Sequence, residues 1–276
     1  MLEVRRLRFV RVRTDAGPRW GRIAGGRIEL LDQAPWLGGQ GGGESLPFDE
    51  ERLLAPVEPG KVLCVGLNYM EHRDDARGGD SVLVNIIGRN MQNAAPDKPP
   101  ILFLKAPSSV VGPGAPIVLP PESQRVDYEA ELTAVIGRRV RRPRTRAEAE
   151  AAIFGYTLAN DVSARDLQQV DVQWMRAKSF DSFCPVGPWI DTDFDPRDRA
   201  IEGVLNGEVR QRARTSMLIA DPVQLVWFAA QAMTLEPGDI FLTGTPSGLG
   251  GLASGDTFTV RVEGLGELRN PVHAES

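Results

Sequence analysis

The apolar residues of this chain come in short runs that Gly or Pro closes, and this limits the fold more than any other feature. Lys61-Val62-Leu63-Cys64-Val65-Gly66 is the first strong core strand. Ile101 to Leu104, Ile117 to Leu119, Glu131 to Ile136, Ile240 to Thr243 and Thr257 to Val262 follow in the same style. With 29 Gly and 21 Pro to punctuate them, such runs predict strands joined by turns. Upstream, Leu7-Arg8-Phe9-Val10-Arg11-Val12, Trp20 to Ile23 and Arg27 to Leu31 alternate apolar and polar positions across turn signals at Gly17-Pro18 and Gly25-Gly26. That alternation predicts a small antiparallel sheet, and Gly38-Gly39-Gln40-Gly41-Gly42-Gly43 reads as a flexible linker after it.

Two segments carry a helical signature. Residues 146–154 follow Thr145 as a candidate N-cap, and residues 222–233 place Val223, Val226, Trp227, Ala230 and Met233 on one face. No alternation of strands with long helices signals a doubly wound sheet, and no internal repeat is present. The expected class is therefore α+β and β-rich, with a small N-terminal β domain and linker at 1–57 and a larger domain at 58–276.

Charge narrows the function. The 32 Lys and Arg against 37 Asp and Glu give a formal charge of -5, so the basic balance of a nucleic-acid binder is missing. Residues 1–10 are basic but lack the apolar run of about 7–15 residues that a signal peptide needs. No run approaches a membrane span, and Cys64 and Cys184 sit inside apolar segments as reduced core residues would. A cytoplasmic protein with a small-molecule substrate is expected, with neither nucleic acid nor membrane as partner.

The richest segment chemically is Asp127-Tyr128-Glu129-Ala130-Glu131-Leu132. In an extended chain, alternate side chains share a face, so these three acids project together at intervals of roughly 6.6 Å. Crowded carboxylates repel one another unless a cation or a proton intervenes. Asn160-Asp161-Val162-Ser163-Ala164-Arg165-Asp166 supplies further acids after another β-type stretch. Carboxylate oxygens suit a hard divalent cation, although spacing alone fits an exposed, solvated strand face better, because acidic residues are usually exposed.

Seven stretches occur in one order: Gly66-Leu67-Asn68-Tyr69-Met70-Glu71-His72, Phe103-Leu104-Lys105, Asp127 to Leu132, Asn160 to Asp166, Ala177-Lys178-Ser179-Phe180-Asp181 with its continuation to Trp189, Leu205-Asn206-Gly207-Glu208, and Pro237 to Gly248 with Gly244-Thr245-Pro246. Together they resemble the fumarylacetoacetate hydrolase family over about residues 58–273. The resemblance implies a rolled, mixed β-sheet catalytic domain, a homodimer, and one Mg²⁺ or Mn²⁺ per subunit. It implies Glu129, Glu131 and Asp161 as metal ligands, with Asp127 behind them or at the surface, and Lys178 beside the metal to stabilise charge on a substrate oxygen. Arg165, Gln168 and Thr245 match pocket positions, Gln168 and Thr245 as contacts to substrate; an ion pair within its own Asp-rich loop is the alternative for Arg165.

His72 is the candidate general base, because the other histidine, His273, lies near a chain end expected to fray. In hydrolytic family members an acid three residues on pairs with this His, which here is Asp75 in place of the usual Glu, with Asp74 as competitor. Residues 76–100 look longer than the corresponding family loop. The resemblance implies a metal-dependent hydrolase that cleaves a C–C bond in a 2-oxo acid or 1,3-diketo acid such as an acylpyruvate. Its alternatives are an isomerase of 2-hydroxyhepta-2,4-diene-1,7-dioate, an oxaloacetate decarboxylase and, remotely, a non-catalytic ligand-binding protein.

Overall fold

A computed structural model describes residues 6–69 and 98–275. The N-terminal region forms β1 (Arg8–Thr14), β2 (Gly17–Ala24), β3 (Arg27–Leu31), β4 (Gly41–Pro47) and β5 (Leu53–Leu54). Next come β6 (Val62–Gly66), β7 (Ile101–Lys105), β8 (Val110–Val111) and β9 (Ile117–Leu119). The central run holds β10 (Val126–Asp127), β11 (Ala130–Ile136), β12 (Ile153–Asn160), β13 (Ser163–Ala164) and β14 (Cys184–Asp191). The chain closes with β15 (Ala200–Leu205), β16 (Glu208–Arg214), β17 (Ile240–Leu242), β18 (Thr257–Val262) and β19 (Gly266–Ala274). The helices are α1 (Arg146–Glu150), α2 (Arg165–Val170), α3 (Met175–Lys178) and α4 (Pro222–Ala232).

The strands assemble into a large mixed sheet in the order β4-β3-β2-β1-β14-β12-β11-β17-β6-β7 and a five-stranded sheet in the order β16-β15-β18-β19-β9. All of β11 is buried, so both of its faces are covered, and period-two alternation divides its side chains between two cores. Ala130, Leu132, Ala134 and Ile136 pack with Ile201, Phe258, Val260 and Leu268 of the five-stranded sheet. Val135, on the opposite face, packs with Cys64, Ala159, Cys184 and Leu242. Glu131 and Thr133 share the parity of Val135, so a carboxylate sits on a face that is otherwise core. Both cysteines are free and buried, as the sequence suggested.

Several expectations need correction. The glycine-rich stretch is not a free linker: β4 starts at Gly41 and pairs with β3, Ile28 lying opposite Leu46 and Glu29 opposite Ser45. Backbone hydrogen bonds hold such a strand whatever its side chains. The small N-terminal sheet does not end at β3 either, since Arg8 pairs with Asp191 and Phe9 with Ile190, which joins it to β14. Thr145 caps its helix through Glu148 N–H as expected, but α1 stops at Glu150 and β12 begins at Ile153, where β-branched and aromatic residues favour a strand. His273 is not frayed: it is exposed on β19 opposite Val118. The second predicted helix is α4, capped by Asp221 and led by Pro222.

Candidate active site

The acid cluster forms where two neighbouring strands stop together. Ala130, the first residue of β11, lies opposite Asn160, the last of β12. The Asn160 side-chain oxygen accepts the Glu129 N–H at 2.8 Å, and the Asp161 N–H donates to the Glu129 carbonyl at 2.9 Å. These two bonds fix Glu129 beside Asp161, and one alternation further along β11 brings in Glu131. One oxygen from each of the three carboxylates lies within 4.8 Å of the others, although the side chains are only 5%, 1% and 1% exposed for Glu129, Glu131 and Asp161.

Buried charge on this scale requires compensation, and three cations provide part of it. Lys178 Nζ donates to Glu129 Oε2 at 2.8 Å and to Asp161 Oδ2 at 2.7 Å. Lys105 Nζ donates to Asp161 Oδ1 at 2.6 Å and to the Val162 carbonyl at 3.0 Å. Arg165 donates to Glu129 Oε1, to Asp127 Oδ2 at 3.0 Å and to Gln168 Oε1 at 2.8 Å. Burial pushes the Glu129 carboxyl up, but Arg165 and Lys178 outweigh it and hold the group down at about 2. Burial likewise disfavours the Lys178 ammonium, and Asp161 and Glu129 more than restore it.

Glu131 differs. Its hydrogen-bond partner among the described residues is one backbone donor, Gly244 N–H at 2.6 Å, and none of those residues forms an ion pair with it. Burial, then Asp161 and Glu129, raise its carboxyl well above the ordinary range. Gly244 is there for a steric reason: its φ is +95° and an added Cβ would stand 2.7 Å from Asn68 Cβ. A crowded, oxygen-only set in which one carboxylate has no ion pair among the described residues fits a hard divalent cation such as Mg²⁺ or Mn²⁺.

Of the positions read from sequence, Glu129, Glu131, Asp161 and Lys178 converge here, and Arg165 and Gln168 adjoin them from α2. Arg165 belongs to neither expectation alone, because its ion pairs run to Asp127 and Glu129 and not to Asp166. Asp166 instead accepts from Ser123 and Gln124 N–H. Asp127 is wholly buried under Arg125 and Arg165, so it is not a surface residue. Thr245 directly follows Gly244 and accepts a hydrogen bond from Gln211 at 2.8 Å. His72, Asp74 and Asp75 lie outside the described residues, as do residues 76–97 of the segment read from sequence as a long loop.

Sequence reasoning missed Lys105 and Gln211. A lysine ending the apolar strand Ile101–Lys105 was a usable signal for the first, since a cation on a core strand needs a buried anion. The aromatic side of the cluster was missed as well: Phe103 lies 5.1 Å from Lys178 Nζ and meets Trp174 edge-on at 5.4 Å. Tyr69, which is fully buried, has a hydroxyl with no hydrogen-bond partner among the described residues.

Comparison with known proteins gives the same outline. A family profile described as fumarylacetoacetate (FAA) hydrolase, C-terminal, matches residues 61–273, and one described as Rv2993c-like, N-terminal, matches residues 7–56. The bovine mitochondrial protein named oxaloacetate tautomerase FAHD2A is 41% identical over 240 residues, spanning 82% of this chain and 71% of that protein. A solved structure named 2-hydroxyhepta-2,4-diene-1,7-dioate isomerase, from Mycobacterium marinum, superposes with a TM-score of 0.85 at 39% identity, covering 98% of this chain and 99% of the other. A maleylpyruvate hydrolase from Sphingobium sp. SYK-6, solved with manganese(II) and pyruvate, gives a TM-score of 0.74 at 28% identity over 98% of this chain and 100% of that one.

Proposed function

Because this chain belongs to the fumarylacetoacetate hydrolase family, we propose that it is a divalent-metal-dependent enzyme that stabilises the enolate of a small 2-oxo acid and moves a proton on it. The observation that carries this reading is the set of three buried carboxylates, one of them with no ion pair among the described residues, beside a buried lysine. Glu129, Glu131 and Asp161 would hold Mg²⁺ or Mn²⁺, which supplies Lewis-acid polarisation of paired substrate oxygens. Lys178 holds its positive charge next to that position, where negative charge develops on an oxygen. Arg165 keeps Glu129 in place from behind, and Asp127 keeps Arg165. Gln168 has its amide oxygen engaged by Arg165, and its N–H groups would serve as donors to substrate. Phe103 and Trp174 flank the Lys178 side of the cluster. A homodimer is part of the same proposal.

Two of the three relatives above are named as a tautomerase or an isomerase and one as a hydrolase, which supports tautomerisation or isomerisation as the first reading. Hydrolysis of a C–C bond in an acylpyruvate or fumarylacetoacetate-like acid is the second reading, and Asn68-Tyr69-x-x-His72 supports it. There His72, paired with Asp75, would take a proton from water. Both readings share one test. Oxaloacetate, a muconate-type dienol acid and acylpyruvates are supplied with EDTA, then with Mg²⁺ or Mn²⁺ restored, while enol absorbance, acid release and CO₂ are followed. Turnover of one class that EDTA abolishes and metal restores is expected. Silence across the panel, or turnover indifferent to EDTA, refutes the proposal.

A further inference from the structure

Gln211 sits on β16 of the five-stranded sheet, a strand whose flanking residues Arg210 and Arg212 are exposed while Gln211 itself is wholly buried. A buried amide needs partners, and here the partners settle which way it points. Its Oε1 accepts the Ala130 N–H at 3.0 Å, and its Nε2 donates to the Pro246 carbonyl at 2.8 Å. A backbone N–H can only donate and a backbone carbonyl can only accept, so the opposite amide orientation would set donor against donor and acceptor against acceptor. The second Nε2 hydrogen therefore enters Thr245 Oγ1, 2.8 Å away. That occupies one of the two lone pairs of the hydroxyl oxygen and turns its proton away from Gln211, and no described residue takes that proton in return.

We propose that Gln211 is a positioning residue that directs the Thr245 hydroxyl proton away from itself and into the site, so that the site favours substrates presenting an acceptor oxygen there, above all a carboxylate. Thr245 follows Gly244, whose N–H holds Glu131, so the freed donor stands one residue from the acid cluster. Charge-assisted hydrogen bonds are roughly twice as strong as neutral ones, which is why a carboxylate gains most. The anchor itself is rigid: Gly248 lies so near the Arg210 carbonyl that an added Cβ would collide with it, which clamps the 244–251 turn onto β16. This inference rests on the proposed site reading.

The test uses the full chain and two probes, Mn²⁺ alone and oxalate added to the Mn²⁺-loaded protein. Gln211→Met removes the donor at similar volume. Gln211→Glu keeps an acceptor for Ala130 N–H but offers Thr245 a second acceptor, which draws the hydroxyl proton inward. Either variant is expected to bind oxalate about tenfold more weakly, to raise KM more than it lowers kcat, and to leave Mn²⁺ affinity within about threefold. Thr245→Val should lose as much oxalate affinity, and adding Gln211→Met to it should cost nothing further. If Gln211→Met does not fold, Gln211→Glu carries the same comparison. The inference is overturned if oxalate affinity stays within about twofold of the parent in the folded variants. It is also overturned if Mn²⁺ and oxalate affinities fall together, as a structural role would require, or if the two losses add. A parent protein that binds no oxalate with Mn²⁺ present overturns the site reading itself, a result distinct from failure in the variants alone.

Discussion

Replacing Glu131 by glutamine should stabilise the metal-free protein while removing its affinity for metal. The carboxyl is 1% exposed, faces Glu129 and Asp161, and has a single backbone N–H for support among the described residues. Its raised pKa means that the folded protein binds a proton more tightly than the unfolded chain, whose glutamate titrates near about 4.3. Unfolding free energy therefore falls as pH rises from there toward the folded value, by up to about 1.4 kcal/mol per pH unit. Glutamine does not titrate and its amide oxygen can still accept from Gly244, so the variant escapes this loss. A gain of about 2 kcal/mol at pH 7.5 corresponds to roughly 5 °C in Tm for a chain of this size. Metal reverses the order, because an ion at 100 times its Kd adds about 2.7 kcal/mol to the parent and little to the variant. Thermal melts in EDTA and in excess Mn²⁺, at pH 5 and pH 7.5, read all of this. The reasoning fails if Glu131→Gln melts no higher than the parent in EDTA at pH 7.5, or if its advantage is as large at pH 5.

Lys178→Met should lower kcat by about 100-fold while Mn²⁺ affinity measured by titration holds or rises, since the ammonium that competes for Glu129 and Asp161 is gone. Equal loss of Mn²⁺ binding would instead make Lys178 a structural counter-ion. His72→Ala should abolish hydrolysis of an acylpyruvate yet leave Mn²⁺ binding intact, and under the favoured reading it should spare keto–enol exchange of oxaloacetate measured by enol absorbance. Loss of both reactions together would return the second reading to first place.

What could be seen in the sequence follows the range of the interactions. Glu129 and Glu131 show themselves by strict alternation at the head of an apolar strand, and Asp161 by the Asn-Asp step at the end of another. Each signal is local, and register between two strands does the rest. Lys105 and Gln211 show themselves less well, because their partners lie 56 residues away for Asp161, and 81 and 34 residues away for Ala130 and Thr245. Gln211 even stands among arginines, as a surface position would, and only the docking of a second sheet buries it. The glycines at 41–43 mislead for the opposite reason: composition predicts freedom, while the neighbouring β3 backbone supplies a ladder that asks nothing of side chains. Residues 146–154 share that lesson, since helix-forming alanines and glutamates run directly into a strand that β12's partners on both sides determine.

The seam at β14 has its own consequence. One flank of that strand is covered by β12, while β8 protects its first residues on the other flank and β1 its last, with Arg8 lying 4.5 Å over the Trp189 ring. The N-terminal strands are thus a shield for an aggregation-prone border as much as a module of their own. Trimming them away would leave the Ile190 backbone as an open template for another chain, and insolubility, more than lost chemistry, would be the first symptom.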